Sequence, residues 1–329
     1  MTTIGTLDRL PASVGGTTVD QGERAAPPAI GRRPTRRFLQ VALGLLWLLD
    51  GLLQLQPFMF SGRFARQVIA PVASGQPEWV AWPVRHAASV IGAHPVPINL
   101  AFALVQLGLG AAFLSRRTVR PAVVGSVVWA ASVWFLGEGL GGLAGGTASL
   151  LTGAPGAVVL YAVLALAAWP GSDEAGGRDR GVASWFPVAW AVIWLDLALV
   201  AVLPANRSTG AVRDQVEATA GQVPGWLAHV DHAVAGGVGH VGPWAPVALV
   251  VAPVAIGLLG LGGTRPRRIA GGVGIGVAIA VWVVGQGLGL LTSGSATDPN
   301  AGPLLALCGV ALLGVVTPAS PPATPAGPD

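Results

Sequence analysis

The sequence predicts an all-α polytopic membrane protein, with about eight transmembrane helices in two parallel four-helix repeats. Three observations lead there. Of 329 residues, 52% are hydrophobic and only 10% charged, against about 25% charged in an ordinary soluble domain. Eight apolar stretches have the length of a helix. The phrase Trp134-Phe135-Leu136-Gly137-Glu138-Gly139-Leu140-Gly141 returns as Trp282-Val283-Val284-Gly285-Gln286-Gly287-Leu288-Gly289, with an amide where the acid stood.

Residues 1–36 are rich in Gly, Pro, Thr and charge, have no apolar period, and read as a disordered cytoplasmic tail. They lead into Arg32-Arg33-Pro34-Thr35-Arg36-Arg37 and then Phe38-Leu39-Gln40. A twin-arginine export signal would carry a spacer between the arginines and Phe-Leu, and an Ala-x-Ala cleavage site. Neither is found, so these arginines read as anchors holding a helix end in the cytoplasm. A membrane helix needs about 20 apolar residues, sometimes about 17. Segments 37–57, 95–115, 120–141, 155–170, 184–204, 244–263, 268–290 and 302–317 qualify. The fourth and last are short, which leaves the number at seven or eight. The first unit is then 37–170, a cytoplasmic linker 171–183, the second unit 184–317, and a disordered tail 318–329.

Charge gives an independent orientation. All 19 basic residues are Arg. With the chain starting inside, only Arg63, Arg66, Arg85, Arg207 and Arg213 fall outside. Such a bias places both termini in the cytoplasm of a plasma-membrane protein. The partner this implies is the lipid bilayer, with other membrane or redox proteins as further candidates. No basic stretch interleaved with aromatics points to nucleic acid. The 48 glycines favour close helix packing in lipid. Cys308, the single cysteine, lies in an apolar run and reads as a small core hydrophobe.

The halves align at a spacing of about 147 residues. Trp47 meets Trp194, Pro57 meets Pro204, and Pro77-x-Trp79 meets Pro224-x-Trp226. His86, His94 and Pro97 then meet His232, His240 and Pro243. Four helices per unit give both units one orientation, hence parallel repeats. Between the first two helices of each unit runs a long segment, as functional loops often are. Within it, Phe64-Ala65-Arg66-Gln67-Val68-Ile69 and Trp79-Val80-Ala81-Trp82 read as short amphipathic pieces on the outer face.

The opening Leu43-Gly44-Leu45-Leu46-Trp47-Leu48-Leu49-Asp50-Gly51-Leu52-Leu53, and the run Gln106-Leu107-Gly108-Leu109-Gly110 through Arg116-Arg117, resemble the DoxX-like membrane proteins. That resemblance implies a four-helix unit and a link to quinone-coupled sulfur oxidation or redox-stress complexes. It assigns no residue a role, and a tandem duplication departs from the usual single unit.

Polar groups inside apolar segments mark where chemistry can sit. A carboxylate at mid-helix costs about 2.5–3.5 kcal/mol on insertion scales, so it normally faces a partner or water. Asp50, Asp196 and Glu138 are such acids, with Gln54, Gln106 and Gln286 as neutral companions. Asp50 and Gln54, four apart, share a helix face with Trp47 nearby. The acids and all five histidines gather toward the outer ends, whereas the inner leaflet is almost purely apolar. The plainer alternative is that the acids only fix helix packing through hydrogen bonds. Gln286 in place of Glu138 indicates a hydrogen-bonding site in both units that needs ionisation in at most one. The histidines read either as solvated loop residues or as ligands for a metal or haem. His229 and His232, three apart, are the better metal pair, with Asp231 beside them. Gly271-Gly272-x-Gly274-x-Gly276 is no dinucleotide fingerprint, since no strand precedes it.

The expected function is that of a ligand-binding or accessory membrane protein. An outward-facing polar pocket between the units is lined by Asp50, Gln54, Glu138 and Gln286, with Asp196 a further candidate and His86 and His232 above. A quinone headgroup or a metal ion would suit it, and the sequence names no cofactor. The alternatives are a proton-coupled small-solute transporter and the membrane subunit of a quinone-linked oxidoreductase. No nucleophile elbow, phosphate loop or zinc-protease helix appears, and whether the protein is an enzyme is left open.

Overall fold

In the computed structural model, which describes residues 35–171 and 181–315, every regular element is a helix. The isolated bridges Thr35–Gly181 and Val182–Val315 are the only extended pairings among the described residues. The expected tails fall outside the described residues at 1–34 and 316–329, as does the linker at 172–180.

Helix α1 (Arg36–Leu53) begins where the Thr35 hydroxyl accepts the Phe38 N–H at 3.3 Å. A surface helical stretch follows at 62–73, starting as α2 (Gly62–Phe64) and passing through a π and a 3-10 turn. Then come α3 (Glu78–Ala93), α4 (Pro95–Leu114), α5 (Val119–Leu136) and α6 (Ala157–Ala167). The second half repeats this order. α7 (Phe186–Ala201) is followed by the surface helices α8 (Thr209–Ala220) and α9 (Gly225–Val241). α10 (Trp244–Gly260), α11 (Thr264–Val284) and α12 (Ala301–Leu313) complete it. Packing recurs with the order: α1 lies on α4 as α7 lies on α10, and α5 on α6 as α11 on α12.

Helices α4, α5 and α11 are long and apolar enough to cross a membrane. A fourth span exists if α9 and α10, bent by 99° at their junction, count as one. Only 28% of each long apolar window is buried, and Leu104 and Val128 are each 61% exposed. Apolar faces this wide are unusual on a protein that meets only water. Each of the eight expected segments contains a helix among its described residues, but only three or four helices have the length and apolarity of a span, and several are shorter than expected. α6 has 11 residues and α12 has 13. At 1.5 Å per residue α6 is about 16 Å long, against a hydrocarbon core of about 30 Å.

The reason lies in the segments that precede them. Ser149, Leu150, Leu151 and Ala154 are buried although they belong to irregular backbone. The chain enters the bundle as a loop and becomes helical only partway along, a course tolerated at membrane depth where the loop is enclosed by protein. α6 and α12 pack on each other at the centre. Leu160, Leu164, Leu304, Cys308 and Leu312 are almost wholly buried there, with Trp190 and Trp194 of α7 in the same core. Cys308 is thus the core hydrophobe its apolar setting predicts.

Glycine sets two helix crossings. A methyl group on Gly110 of α4 would stand 2.8 Å from the Gly44 carbonyl oxygen of α1. One on Gly309 of α12 would stand 3.0 Å from the Gly271 oxygen of α11. Two backbones approach this closely only where both lack a side chain. At Gly108, two residues from Gly110, a methyl group would meet nothing within 4 Å. Gly110→Val is therefore expected to cost about 1–3 kcal/mol through overpacking, read as a lower thermal midpoint in detergent. Gly108→Ala should leave that midpoint unchanged or raise it.

Candidate functional site

The repeated phrase turns out to be a clamp between consecutive helices. α5 and α11 stop at Leu136 and Val284, earlier than expected, so Glu138 and Gln286 stand beyond the helix ends. Trp134 Nε1 donates to the Pro155 carbonyl at 2.9 Å, and Trp282 Nε1 donates to the Pro299 carbonyl at 2.7 Å. Leu140 and Leu288 both adopt left-handed backbone, with φ of 58° and 57°. Each sits between glycines that are also left-handed. A methyl group on Gly141 would lie 2.5 Å from the Pro155 oxygen, and one on Gly289 2.5 Å from the Pro299 oxygen. Glycine is required there by both conformation and space.

The side chain at the variable position completes the clamp. The Glu138 carboxylate accepts the Val158 backbone N–H in the first turn of α6. Gln286 Oε1 accepts the Gly302 N–H at 2.9 Å in the first turn of α12. Each satisfies an N–H that a helix start leaves without an intrahelical partner. Both acid and amide supply the needed oxygen, which is why they interchange.

The loops also tie the halves together. Gln56 Nε2 donates to the Ala296 carbonyl at 3.0 Å, and Asn206 Nδ2 to the Ala148 carbonyl at 2.8 Å. Gln286 Nε2 reaches the Leu150 carbonyl at 3.4 Å. Each half thereby holds the loop of the other.

At this junction lies a cavity of about 1390 Å³. Its lining brings together Asp50, Gln54, Glu138, Gln286 and His86 from the expected set. His232 and Asp196 do not line it. His232 is exposed on α9, and Asp196 is half-buried on α7, one residue out of register with Asp50. Asp50, Gln54 and Gln106 are 2%, 4% and 7% exposed, and each has a side-chain oxygen without a hydrogen-bond partner. Asn99, wholly buried, donates to the Gln54 carbonyl at 2.6 Å and closes the C-terminus of α1.

Several lining groups escaped the sequence reading. Tyr161 stacks on Trp47 with ring centroids 4.2 Å apart, beside the Asp50 carboxyl. Trp47 Nε1 donates to Ser126 Oγ at 3.2 Å. Asp298 enters from the loop before α12. It accepts from Thr297 Oγ1 and the Asn300 N–H, both at 2.7 Å. Tyr161 is the only tyrosine in the chain, a signal available in an otherwise apolar helix. Asp298 had none, since in sequence it is one more loop acid.

Burial holds both acids outside the spanning helices above the ordinary carboxylate range. Glu138 is raised from 4.5 to about 8, by burial first and by the nearby Asp298 charge second, against the Val158 hydrogen bond. Asp298 is raised by burial, against its bonds to Thr297 and Asn300. At the mouth, His86 stacks on Trp82 at 5.5 Å, and Arg63 lies 5.2 Å over the Phe58 ring.

The other histidines stand apart from this site. His229 and His232 are exposed on α9, and His229 Nδ1 bonds the Gly225 carbonyl at 2.5 Å. Among the described residues, no group of three or more His, Cys, Asp or Glu is placed to hold a metal ion. No family model, curated protein or solved structure matches the chain.

The clamp makes a double prediction. Glu138→Gln keeps an acceptor for Val158 and should hold the thermal midpoint near neutral pH. Glu138→Ala should lower stability by about 0.5–2 kcal/mol, the range for losing a helix cap. The native state binds the Glu138 proton more tightly than the unfolded chain. Stability should therefore fall as pH rises from about 4.5 to about 8 and level off above. Glu138→Gln should flatten that decline in a pH series of thermal melts.

Proposed function

We propose that the chain is an integral plasma-membrane protein that binds a small ligand in this cavity, on the face away from the cytoplasm. Eight membrane-embedded helices form two parallel repeats of four, with both termini cytoplasmic. The recurring element order and the paired Trp–carbonyl clamps support the repeat. The cavity lies at the helix ends opposite the arginine-bearing turns, where Arg116, Arg117, Arg265 and Arg268 gather. The positive-inside rule puts those turns in the cytoplasm.

The observation that carries the binding role is the set of unpartnered oxygens on Asp50, Gln54 and Gln106, buried yet lining one space. A buried polar atom left unsatisfied costs about 1–3 kcal/mol, and three around one cavity are accounted for by a guest that pairs with them. Trp47, Phe58, Phe102 and Trp129 supply apolar walls, the usual combination in small-molecule sites. These oxygens accept, so they suit a guest that donates, such as the hydroxyls of a reduced quinone headgroup or an amine. A passive binding or accessory role fits better than transport, because the cavity lining stays at one end of the helices.

Two measurements test this. Native mass spectrometry of protein extracted from its own membrane is expected to show a bound small molecule that Val133→Trp, which fills the cavity, removes. Bare wild-type polypeptide throughout would overturn the binding role. Ser295→Cys at the cavity rim should react with an impermeant maleimide on intact cells, and Ser115→Cys in the α4–α5 turn only after permeabilisation. The reverse pattern would invert the orientation.

A further inference from the structure

We propose that the cavity takes a long-chain amphiphile with an ammonium headgroup, its head against Asp50 and its chain in the groove between α4 and α5. This rests on the reading of the cavity as a ligand site and adds the ligand's chemical class.

The charge of the inner wall is one-sided. Asp50, Glu138 and Asp298 line the cavity, while the basic groups among its described lining residues, Arg63 and His86, are exposed at the mouth. Neither Asp50 Oδ1 nor Glu138 Oε2 has a hydrogen-bond partner. Among the described residues, the Tyr161 hydroxyl is the one donor beside the Asp50 carboxyl. A buried carboxylate normally meets a cation, and none of the described residues provides one at this depth. An ammonium group would fill the role and release any proton the carboxyl carried. The walls fit the same guest. Trp47 and Tyr161 present a stacked pair, and Trp129 stands edge-on to Phe102 at 5.3 Å. Aromatic faces attract alkylated ammonium, most strongly when water is excluded.

A second feature identifies the tail. A separate groove of about 450 Å³ runs between α4 and α5, lined by Leu104, Val105, Gly108, Gly125 and Val128 among others. Trp129 and Ser132 line both this groove and the cavity, so the two spaces adjoin at these side chains. From Ser132 back to Pro121 the groove follows α5 for about 16 Å at 1.5 Å per residue, which suits an alkyl chain of about a dozen carbons. Gly108 faces the open groove, since a methyl group there would meet nothing within 4 Å, whereas Gly125 seats the Leu109 side chain of the groove wall at 2.9 Å. A guest with its head in the cavity and its tail in the groove would lie partly among lipid chains and arrive from the bilayer.

The test is titration of the full-length protein in phosphatidylglycerol nanodiscs, following tryptophan fluorescence. Dodecyltrimethylammonium is expected to bind at least tenfold more tightly than dodecanol or tetramethylammonium. Asp50→Asn should remove the preference over dodecanol, and Gly108→Leu should weaken the dodecyl probe while leaving tetramethylammonium unchanged. Adding phosphatidylethanolamine to the discs separates two sources: competition assigns an amine-bearing lipid, and its absence a free amphiphile. Equal binding of ammonium and alcohol, both abolished by Val133→Trp, would overturn the ammonium assignment and keep the cavity as a ligand site. Binding of no probe, together with bare wild-type polypeptide in native mass spectrometry, would remove both.

Discussion

Two helix starts that lie inside the bundle govern the rest of this structure. The first N–H groups of any helix lack intrahelical partners, and in a low-dielectric interior each must find an acceptor or cost several kcal/mol. α6 and α12 begin at such places because their preceding loops are already enclosed. The chain meets the need with a side chain projected from the turn that ends the preceding helix, Glu138 for α6 and Gln286 for α12. The turn must fold back sharply to deliver it, which accounts for the left-handed Leu140 and Leu288 between glycines. A non-glycine residue in that region costs about 1–2 kcal/mol. The tryptophan bond to the adjoining proline carbonyl then holds the turn against the helix start. Eight residues of sequence thus encode one mechanical joint, used twice.

This joint also explains what was legible in the sequence. The phrase from Trp134 to Gly141 stood out because Trp134, Gly139, Leu140 and Gly141 each meet a separate physical requirement, and both copies keep these residue types. The exchange of Glu138 for Gln286 signalled a shared hydrogen bond before any geometry was known. Helix lengths were less legible. Apolar segments such as 120–141 and 268–290 continue past the true helix ends, because the enclosed loops are as apolar as the helices they join. Hydropathy registers burial and cannot distinguish a buried turn from a buried helix. The surface helices were underestimated for the opposite reason: α8 and α9 mix polar and apolar residues, and only their ends carried clear signals.

The site was read unevenly for similar reasons. Asp50 and Gln54 were visible because helical spacing alone places them on one face, and both line the cavity. Asp196 carried the same composition signal as Asp50 but sits one position off in register, and one position turns a side chain by about 100° on a helix with 3.6 residues per turn. His232 aligned with His86 in sequence, yet only His86 lines the cavity. Similar folds in the two halves therefore do not produce equivalent surroundings. Asp298 shows the converse, a residue that gains its position from the fold alone, since the loop that carries it crosses to the other half. The DoxX-like resemblance contributes nothing to these assignments.

The asymmetry between halves bears on why the acid persists in only one of them. Gln286 is satisfied at both ends, by Gly302 and by Leu150. Glu138 caps α6 with one oxygen and leaves Oε2 buried without a partner. A glutamine at 138 would meet the structural need equally well, so the cap does not explain the carboxyl. Asp298 sits close enough to raise its proton affinity, which makes the pair less comfortable as charges than either would be alone. Two crowded acids serve no purpose in holding a loop, and an amide would relieve them. Their retention at the wall of a cavity, with Asp50 also facing it, is accounted for by something that enters and offers the missing positive charge or hydrogen-bond donor.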